Sequence, residues 1–247
     1  MTQAVLLLIP GLLNTPAVFD RLRAHLDPAI KLRIATVHTQ ASLPAMAADA
    51  WALLADLPPL QPVVIGGFSM GGYVALQMLA DAPRTVQGLA LINTSARADA
   101  PEALARRAQA MAAMARDFDS FIAGLCRFAL TPAGHADAAL LAEVKAIMHS
   151  VGPVAATAQT RALMQRPDRR AWLPRLRLAC QVVGGADDNI TLPAWSQEMA
   201  DLIPGARLAL LPGMGHMLPL ERAAELAALL HGLLQRVPAA SPTPPTA

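Results

Sequence analysis

Val63-Val64-Ile65-Gly66-Gly67-Phe68-Ser69-Met70-Gly71-Gly72-Tyr73 is the stretch on which the fold turns. Its first half is an apolar run of strand composition. Its second half opens a helix-compatible segment, Met70–Ala82, that stops before Pro83. Between them lies a G-x-S-x-G pentapeptide, Gly67 to Gly71. A serine thrown forward on a sharp strand-to-helix turn has strained backbone angles, and side chains two residues to either side would collide with neighbouring chain; glycine removes that collision. Such a turn holds the Ser69 hydroxyl at the carboxyl edge of a sheet. It also aims the Met70 N–H, at a helix N-terminus, toward an oxygen on any carbon that Ser69 attacks. A Gly/Ser turn without chemistry uses the same letters, so the flanking strand and helix carry the weight.

Outward from this turn, short β-rich apolar runs alternate with helix-compatible segments, the pattern of an α/β fold with a mostly parallel sheet and helices on both faces. The expected strands are Val5–Ile9, Leu32–Val37, Val63–Phe68, Val86–Ile92, Ala179–Val183 and Arg207–Leu211. Several are apolar at both alternating positions, as strands covered on both faces must be. Thr15-Pro16 reads as an N-cap with proline at the first helical position, which predicts a helix through Phe19 and Leu26. Another helix is expected over Pro44–Leu57. From Arg97 to Leu173 the alternation stops, and an Ala-, Met- and Arg-rich segment is punctuated at Pro101, Pro132, Gly152-Pro153 and Pro167. Three or four inserted helices are predicted there, lying as a lid over one end of the sheet. The competing reading makes them core packing, with Met111, Met114, Met148 and Met164 as gap-fillers. The expected organisation is therefore a core of 1–96 and 174–236, a helical cap of 97–173, and a disordered tail of 237–247 rich in Pro, Ala, Ser and Thr.

Serine is a weak nucleophile at neutral pH and needs a base, which in turn needs an orienting acceptor. In this architecture the chain order is serine, acid, histidine. His216 follows the last expected strand in the Gly-rich loop Pro212-Gly213-Met214-Gly215, where a side chain reaches across the sheet edge. His231 lies inside the helical run Glu221–Gln235, and His25, His38, His135 and His149 precede the expected acid. His216 is accordingly the expected base, and activity should rise with pH as it loses its proton. The acid should follow Ala179–Val183, where Asp187 and Asp188 compete. Neighbouring side chains on extended backbone face opposite ways, so only one of the two can accept from His216 and the other is a solvated or loop-bracing carboxylate. A second oxyanion donor beside Met70 is expected from the loop after the first strand, where Gly11 would let the Leu12 N–H approach the bound oxygen; a plain strand-ending Pro-Gly turn is the alternative. Leu12, Leu13, Phe68, Met70 and Met217 would border the substrate pocket.

Composition narrows the alternatives. Hydrophobic residues make up 54% of the 247 and charged residues 15%, yet the apolar runs are broken by Pro, Gly or charge well short of the roughly 20 residues of a spanning helix. Stable membrane association is therefore not expected. Val5–Ile9 is apolar but has no basic leader and is ended by Pro10-Gly11, which argues against a signal peptide. Cys126 and Cys180 lack disulfide-framework or metal-ligand spacing and read as buried thiols of a cytoplasmic protein. A net charge of +2 with scattered arginines carries no nucleic-acid footprint. Nothing in the chain points to a particular oligomeric state.

Taken in order, Leu8-Ile9-Pro10-Gly11, Gly67-Phe68-Ser69-Met70-Gly71-Gly72-Tyr73, Gly185-Ala186-Asp187-Asp188 and Gly215-His216 resemble the α/β-hydrolase family over residues 4 to 235. Within it the chain is similar to compact bacterial esterase-like members, in which a G-x-x-D-x-x-T pattern precedes a helix. That register implies Asp188 as the acid, with Thr191 three residues on, and a cap within 97–173. The resemblance implies a serine hydrolase acting on a small, largely apolar carboxylic ester, needing neither metal nor organic cofactor. Carbon–carbon hydrolysis, acyl transfer and a non-catalytic ligand-binding role are the rivals. Two departures are visible: Pro10-Gly11 replaces a His-Gly pair common at the oxyanion loop, and Val37-His38-Thr39-Gln40 replaces a Gly-His-Gly stretch that shapes the substrate site.

Overall fold

The computed structural model describes residues 4–237. Six strands, β1 (Val5–Ile9), β2 (Lys31–Ile34), β3 (Val63–Phe68), β4 (Gly88–Ile92), β5 (Ala179–Gly185) and β6 (Arg207–Leu211), form one sheet. Their order is β2-β1-β3-β4-β5-β6, and every neighbouring pair is parallel. The helices are α1 (Asp20–Arg23), α2 (Leu43–Ala52), α3 (Met70–Ala80), α4 (Pro101–Arg116), α5 (Phe118–Ala129), α6 (Pro132–Ala136), α7 (Ala138–Met164), α8 (Pro193–Leu202), α9 (Leu218–Glu221) and α10 (Ala223–Leu234).

The apolar-on-both-sides composition of the strands is used as the pleat dictates. Val5, Leu7 and Ile9 of β1 pack with α2, α3 and α8 on one face, while Leu6 and Leu8 pack with α1, α9 and α10 on the other. Between β4 and β5 the chain makes α4 to α7. Met114, Ile122, Cys126, Val144 and Met148 from these helices join the same hydrophobic cluster as Leu6 and Leu8. Met114 and Met148 are therefore interior packing, each 2% exposed. The two ends of the insertion are tied together. Arg166, just after α7, donates to the Arg97 carbonyl (2.7 Å) and to Asp99 Oδ1 (2.6 Å), and its guanidinium lies 4.4 Å over the Tyr73 ring.

Some element boundaries differ from the sequence expectation. The Thr15 side chain makes no capping hydrogen bond, though its carbonyl accepts from the Val18 N–H (3.1 Å), and the segment after it forms a 3-10 turn, Pro16–Phe19, and then the single-turn α1, in place of a helix through Leu26. The second strand ends at Ile34, not Val37; Val37 turns its carbonyl to the Gln159 side chain. Among the described residues one helix, Ala138–Met164, is long and apolar enough by length and composition to cross a membrane. It is broken in its middle by Gly152 (φ 76, ψ 163), so its two halves run in different directions. Of the expected disordered tail, Val237 packs against the core near Gly88, and 238–247 lie outside the described residues.

Candidate active site

Ser69 stands between β3 and α3 with φ 52 and ψ −116, a left-handed conformation that costs a non-glycine residue about 1–3 kcal/mol. The surroundings hold it there. Its N–H donates to the Ile92 carbonyl (2.9 Å), and its carbonyl accepts from Thr94 Oγ1 (2.8 Å) and the Gly72 N–H (3.0 Å). A Cβ on Gly67 would overlap the Gly71 carbonyl, and one on Gly71 would overlap the Ile9 carbonyl, so both glycines of the pentapeptide are required by close backbone approach.

Ser69 Oγ lies 2.9 Å from His216 Nε2, and His216 Nδ1 lies 2.8 Å from Asp188 Oδ2. With the carboxylate on Nδ1, that nitrogen carries the proton and Nε2 presents its lone pair to the serine hydroxyl. Asp188 is 1% exposed and His216 5%, whereas Ser69 is half-buried. The two aspartates lie beyond the end of β5, Asp187 in a turn and exposed, Asp188 buried against His216, so the turn and not strand pleating separates them. Asp188 Oδ1 accepts from the backbone N–H groups of Ile190 (2.8 Å) and Thr191 (2.9 Å), and Oδ2 accepts from Thr191 Oγ1 (2.6 Å) and Asn93 Nδ2 (2.7 Å). Burial alone would push this carboxyl up. The charge of His216, together with hydrogen bonds from His216, Thr191 and Asn93, overcomes burial and holds it well below the usual aspartate range.

Asn93 is the member that sequence reasoning misses. It is 0% exposed, has a left-handed φ of 43, and ties Asp188 to the His216 loop by donating also to the Gly215 carbonyl (3.2 Å). The available signal was Asn93-Thr94-Ser95, three polar residues directly after an apolar strand and, in the structure, all 0% exposed. The His216 loop is anchored to the insertion as well: the N–H groups of His216 (2.9 Å) and Met217 (3.3 Å) both donate to the Ala129 carbonyl at the end of α5.

Met70 opens α3 directly after the serine, and Leu12 follows Gly11 in the loop after β1, where a Cβ on Gly11 would stand 3.0 Å from Ser69 Cβ. Among the described residues no hydrogen bond engages the N–H of Leu12 or Met70. Of the expected pocket residues, Phe68 lies against His216, with ring centroids 5.3 Å apart. Leu13, Phe68 and Met217 are all buried in the cluster on the α1 and α10 face. His231 is elsewhere, accepting from the Asp27 N–H (3.1 Å). Cys126 and Cys180 are free, buried thiols, and burial pushes Cys180 up to about 12. Among the described residues, no group of three or more His, Cys, Asp or Glu side chains is arranged to hold a metal ion.

A parallel sheet covered on both faces, a serine on a strained strand-to-helix turn after β3, an aspartate after β5 and a histidine after β6 define the α/β-hydrolase class of enzyme. The chain belongs to the alpha/beta hydrolase family, whose model matches residues 6–229. Among curated relatives, the pimeloyl-[acyl-carrier protein] methyl ester esterase of Aromatoleum aromaticum is 29% identical over 252 residues, covering 95% of this chain and 100% of that protein. A Mycobacterium tuberculosis protein bearing the name of a non-heme bromoperoxidase, BpoC, is 28% identical over 70% of this chain and 67% of its own length. Among solved structures, a thermophilic esterase from Thermogutta terrifontis superposes with a TM-score of 0.85, at 24% identity, covering 95% of this chain and 90% of that one; this is a likeness of fold.

Proposed function

We propose that the chain hydrolyses a small, largely apolar carboxylic ester through an acyl-enzyme on Ser69. The observation that carries this reading is the unbroken relay from Ser69 Oγ through both ring nitrogens of His216 to a buried, multiply hydrogen-bonded Asp188. His216 Nε2 takes the hydroxyl proton as Oγ attacks the ester carbon. Asp188 stabilises the imidazolium so formed. The Leu12 and Met70 N–H groups hold the oxyanion, His216 returns the proton to the departing alcohol, and water then attacks the acyl-enzyme by the same route. An apolar acyl group fits the apolar surroundings of the serine, where Leu13, Phe68 and Met217 pack in the cluster on the α1 and α10 face and Met70 in the cluster on the α2 and α3 face. The insertion serves as a cap, a role supported by its hold on the His216 loop through Ala129 and on the Leu12 loop through Gln159. A relative matched along its entire length carries the name of a methyl ester esterase, which is consistent with a small alcohol as leaving group.

The test is hydrolysis of a p-nitrophenyl acyl-ester series by the wild type and Ser69→Ala. Turnover by the wild type should fall to near background in the variant, a loss of up to about 10⁶. Equal activity in both proteins would remove Ser69 as the nucleophile. No turnover of any ester by the wild type would remove ester hydrolysis and bring diketone cleavage forward.

A further inference from the structure

The Gln159 side chain, on the second half of α7, is 0% exposed and is absorbed by neither the triad nor the hydrophobic core. Its Oε1 accepts from the Leu13 N–H (3.1 Å), and its Nε2 donates to the Val37 carbonyl (3.1 Å). The reversed amide would set donor against donor and acceptor against acceptor, so both contacts require this side chain in this orientation.

The Leu13 N–H belongs to the same peptide unit as the Leu12 carbonyl, and that carbonyl accepts from Asn14 Nδ2 (2.7 Å). The Leu12–Leu13 peptide plane is thus pinned at both edges, by Asn14 on one side and Gln159 on the other. Leu13 sits at φ 60, a conformation a leucine does not adopt unassisted, so the plane would rotate if either pin were removed. The Leu12 N–H itself lies in the adjoining Gly11–Leu12 peptide plane, whose Gly11 carbonyl accepts from the Asn14 N–H (3.2 Å), and the two planes are hinged at the Leu12 Cα. A turn of the Leu12–Leu13 plane taken up at this hinge re-aims the Leu12 N–H, which among the described residues has no protein acceptor.

We propose that Gln159 is a positioning residue of the oxyanion loop: from the cap helix it fixes the Leu12–Leu13 peptide so that the Leu12 N–H points at the developing oxyanion. The inference rests on the serine mechanism proposed above. It makes the insertion a structural partner in catalysis, because one buried amide joins α7, the loop after β1 and the segment after β2.

The experiment compares wild type, Gln159→Leu and Gln159→Glu by the rate at which a fluorophosphonate probe modifies Ser69, followed by mass, alongside kcat and KM for a p-nitrophenyl ester. In the probe reaction an Oγ–P bond forms, the P–F bond breaks with loss of fluoride, and the hydroxyl proton passes to His216. The phosphoryl oxygen occupies the oxyanion position, so the rate reads that site without knowledge of the natural substrate. Gln159→Leu should be modified about 10- to 100-fold more slowly, the scale of a small misplacement of a catalytic group. The same loss should fall on kcat with KM little changed. The buried carboxyl that Gln159→Glu introduces reproduces both hydrogen bonds in its neutral form and loses the donor to Val37 in its ionised form. Gln159→Glu should therefore approach the wild-type rate at the acid end of the range, and its ratio to wild type should fall as pH rises. A folded Gln159→Leu modified at the wild-type rate, a loss confined to KM, or a pH-independent Gln159→Glu ratio would overturn the proposal. Slowed modification in Gln159→Leu with no ester turned over by the wild type would support the brace and remove ester hydrolysis.

Discussion

Asp188 is served by the N–H groups of Ile190 and Thr191, the Thr191 hydroxyl, the Asn93 amide and His216. Of these, Asn93 comes from the end of β4, the neighbour of the β5 strand that precedes Asp188, and it also grips the Gly215 carbonyl in the loop that carries His216, while Thr191 Oγ1 lies 3.3 Å from His216 Nδ1. Replacing it with aspartate would set a second carboxylate against Asp188 Oδ2 in a buried site. Two carboxyls that close share a proton, so Asp188 would no longer be fully ionised when His216 must become cationic. Asn93→Asp is expected to lower kcat by at least about tenfold, roughly 1.4 kcal/mol of transition-state stabilisation, with the loss deepest at the acid end of the pH profile. Unchanged kcat across the profile would show that Asn93 is not needed to hold the acid. Ser69 and His216 were legible in the sequence because each sits in a local pattern with its own physical reason: a glycine-flanked turn and a glycine-rich loop after a strand. The choice between Asp187 and Asp188 leaned on resemblance, since side-chain alternation on extended backbone predicts that they differ but not which faces inward. Asn93 and Gln159 were not legible. Their partners lie 95 and 146 residues away, and no local spacing marks a residue whose role exists only after the sheet closes.

At the scale of the element, the break in α7 decides where Gln159 lies. Gly152 adopts φ 76 and ψ 163, a region essentially closed to side-chain-bearing residues, and Pro153 then starts the second half. The sequence marks Gly152-Pro153 as punctuation, and the structure turns the chain there. Nothing stands within 4 Å of a Cβ added at Gly152. Gly152→Ala thus introduces backbone strain and no clash, which isolates the conformational requirement. The variant should lose about 1–3 kcal/mol of stability, lowering Tm by about 2–4 °C per kcal/mol for a domain of this size. A melt indistinguishable from wild type would mean that the kink is not built on the glycine. Elements were legible where one local rule governs them, as in β1, β3 and β6, whose apolar runs are bounded by proline or glycine. They were misjudged where a tertiary partner decides, as at Val37, whose carbonyl leaves the sheet for Gln159, and at Thr15, whose expected cap bond is not made.

For the whole molecule, the sequence announced a parallel sheet with an interruption, but not that the inserted helices would share a hydrophobic cluster with one face of that sheet. Helical patterning gives the apolar side of a helix without naming what it covers. What the insertion adds electrostatically is Asp99, which pairs with Arg107 and with the 5%-exposed side chain of Arg166, and so joins the insertion's beginning to its end. Burial pushes the Asp99 carboxyl up, but the hydrogen bonds and charges of the two arginines prevail and hold it below the ordinary aspartate value of 3.8. Asp188 is depressed as well. For a carboxyl whose folded value lies below its unfolded one, the unfolded chain binds the extra proton on acidification. The stability each contributes is therefore fully present above 3.8 and is lost as pH falls below it toward the folded value. Glu221 works in the opposite sense, because burial raises its carboxyl above the ordinary 4.5, and its contribution is lost as pH rises through the folded value. Two depressed buried carboxyls against one raised predict a net loss of stability below 3.8, with those two adding up to about 2.7 kcal/mol per pH unit, 1.36 for each proton. Urea unfolding at a series of pH values from 7 to the acid limit of solubility would measure it. Asp99→Asn, which cannot take up that proton, should be less stable at neutral pH because Arg166 loses its counter-charge, and its curve should fall less steeply in acid. A variant with the wild-type acid slope would remove Asp99 from the account and leave Asp188 as the buried group through which acid loosens the molecule.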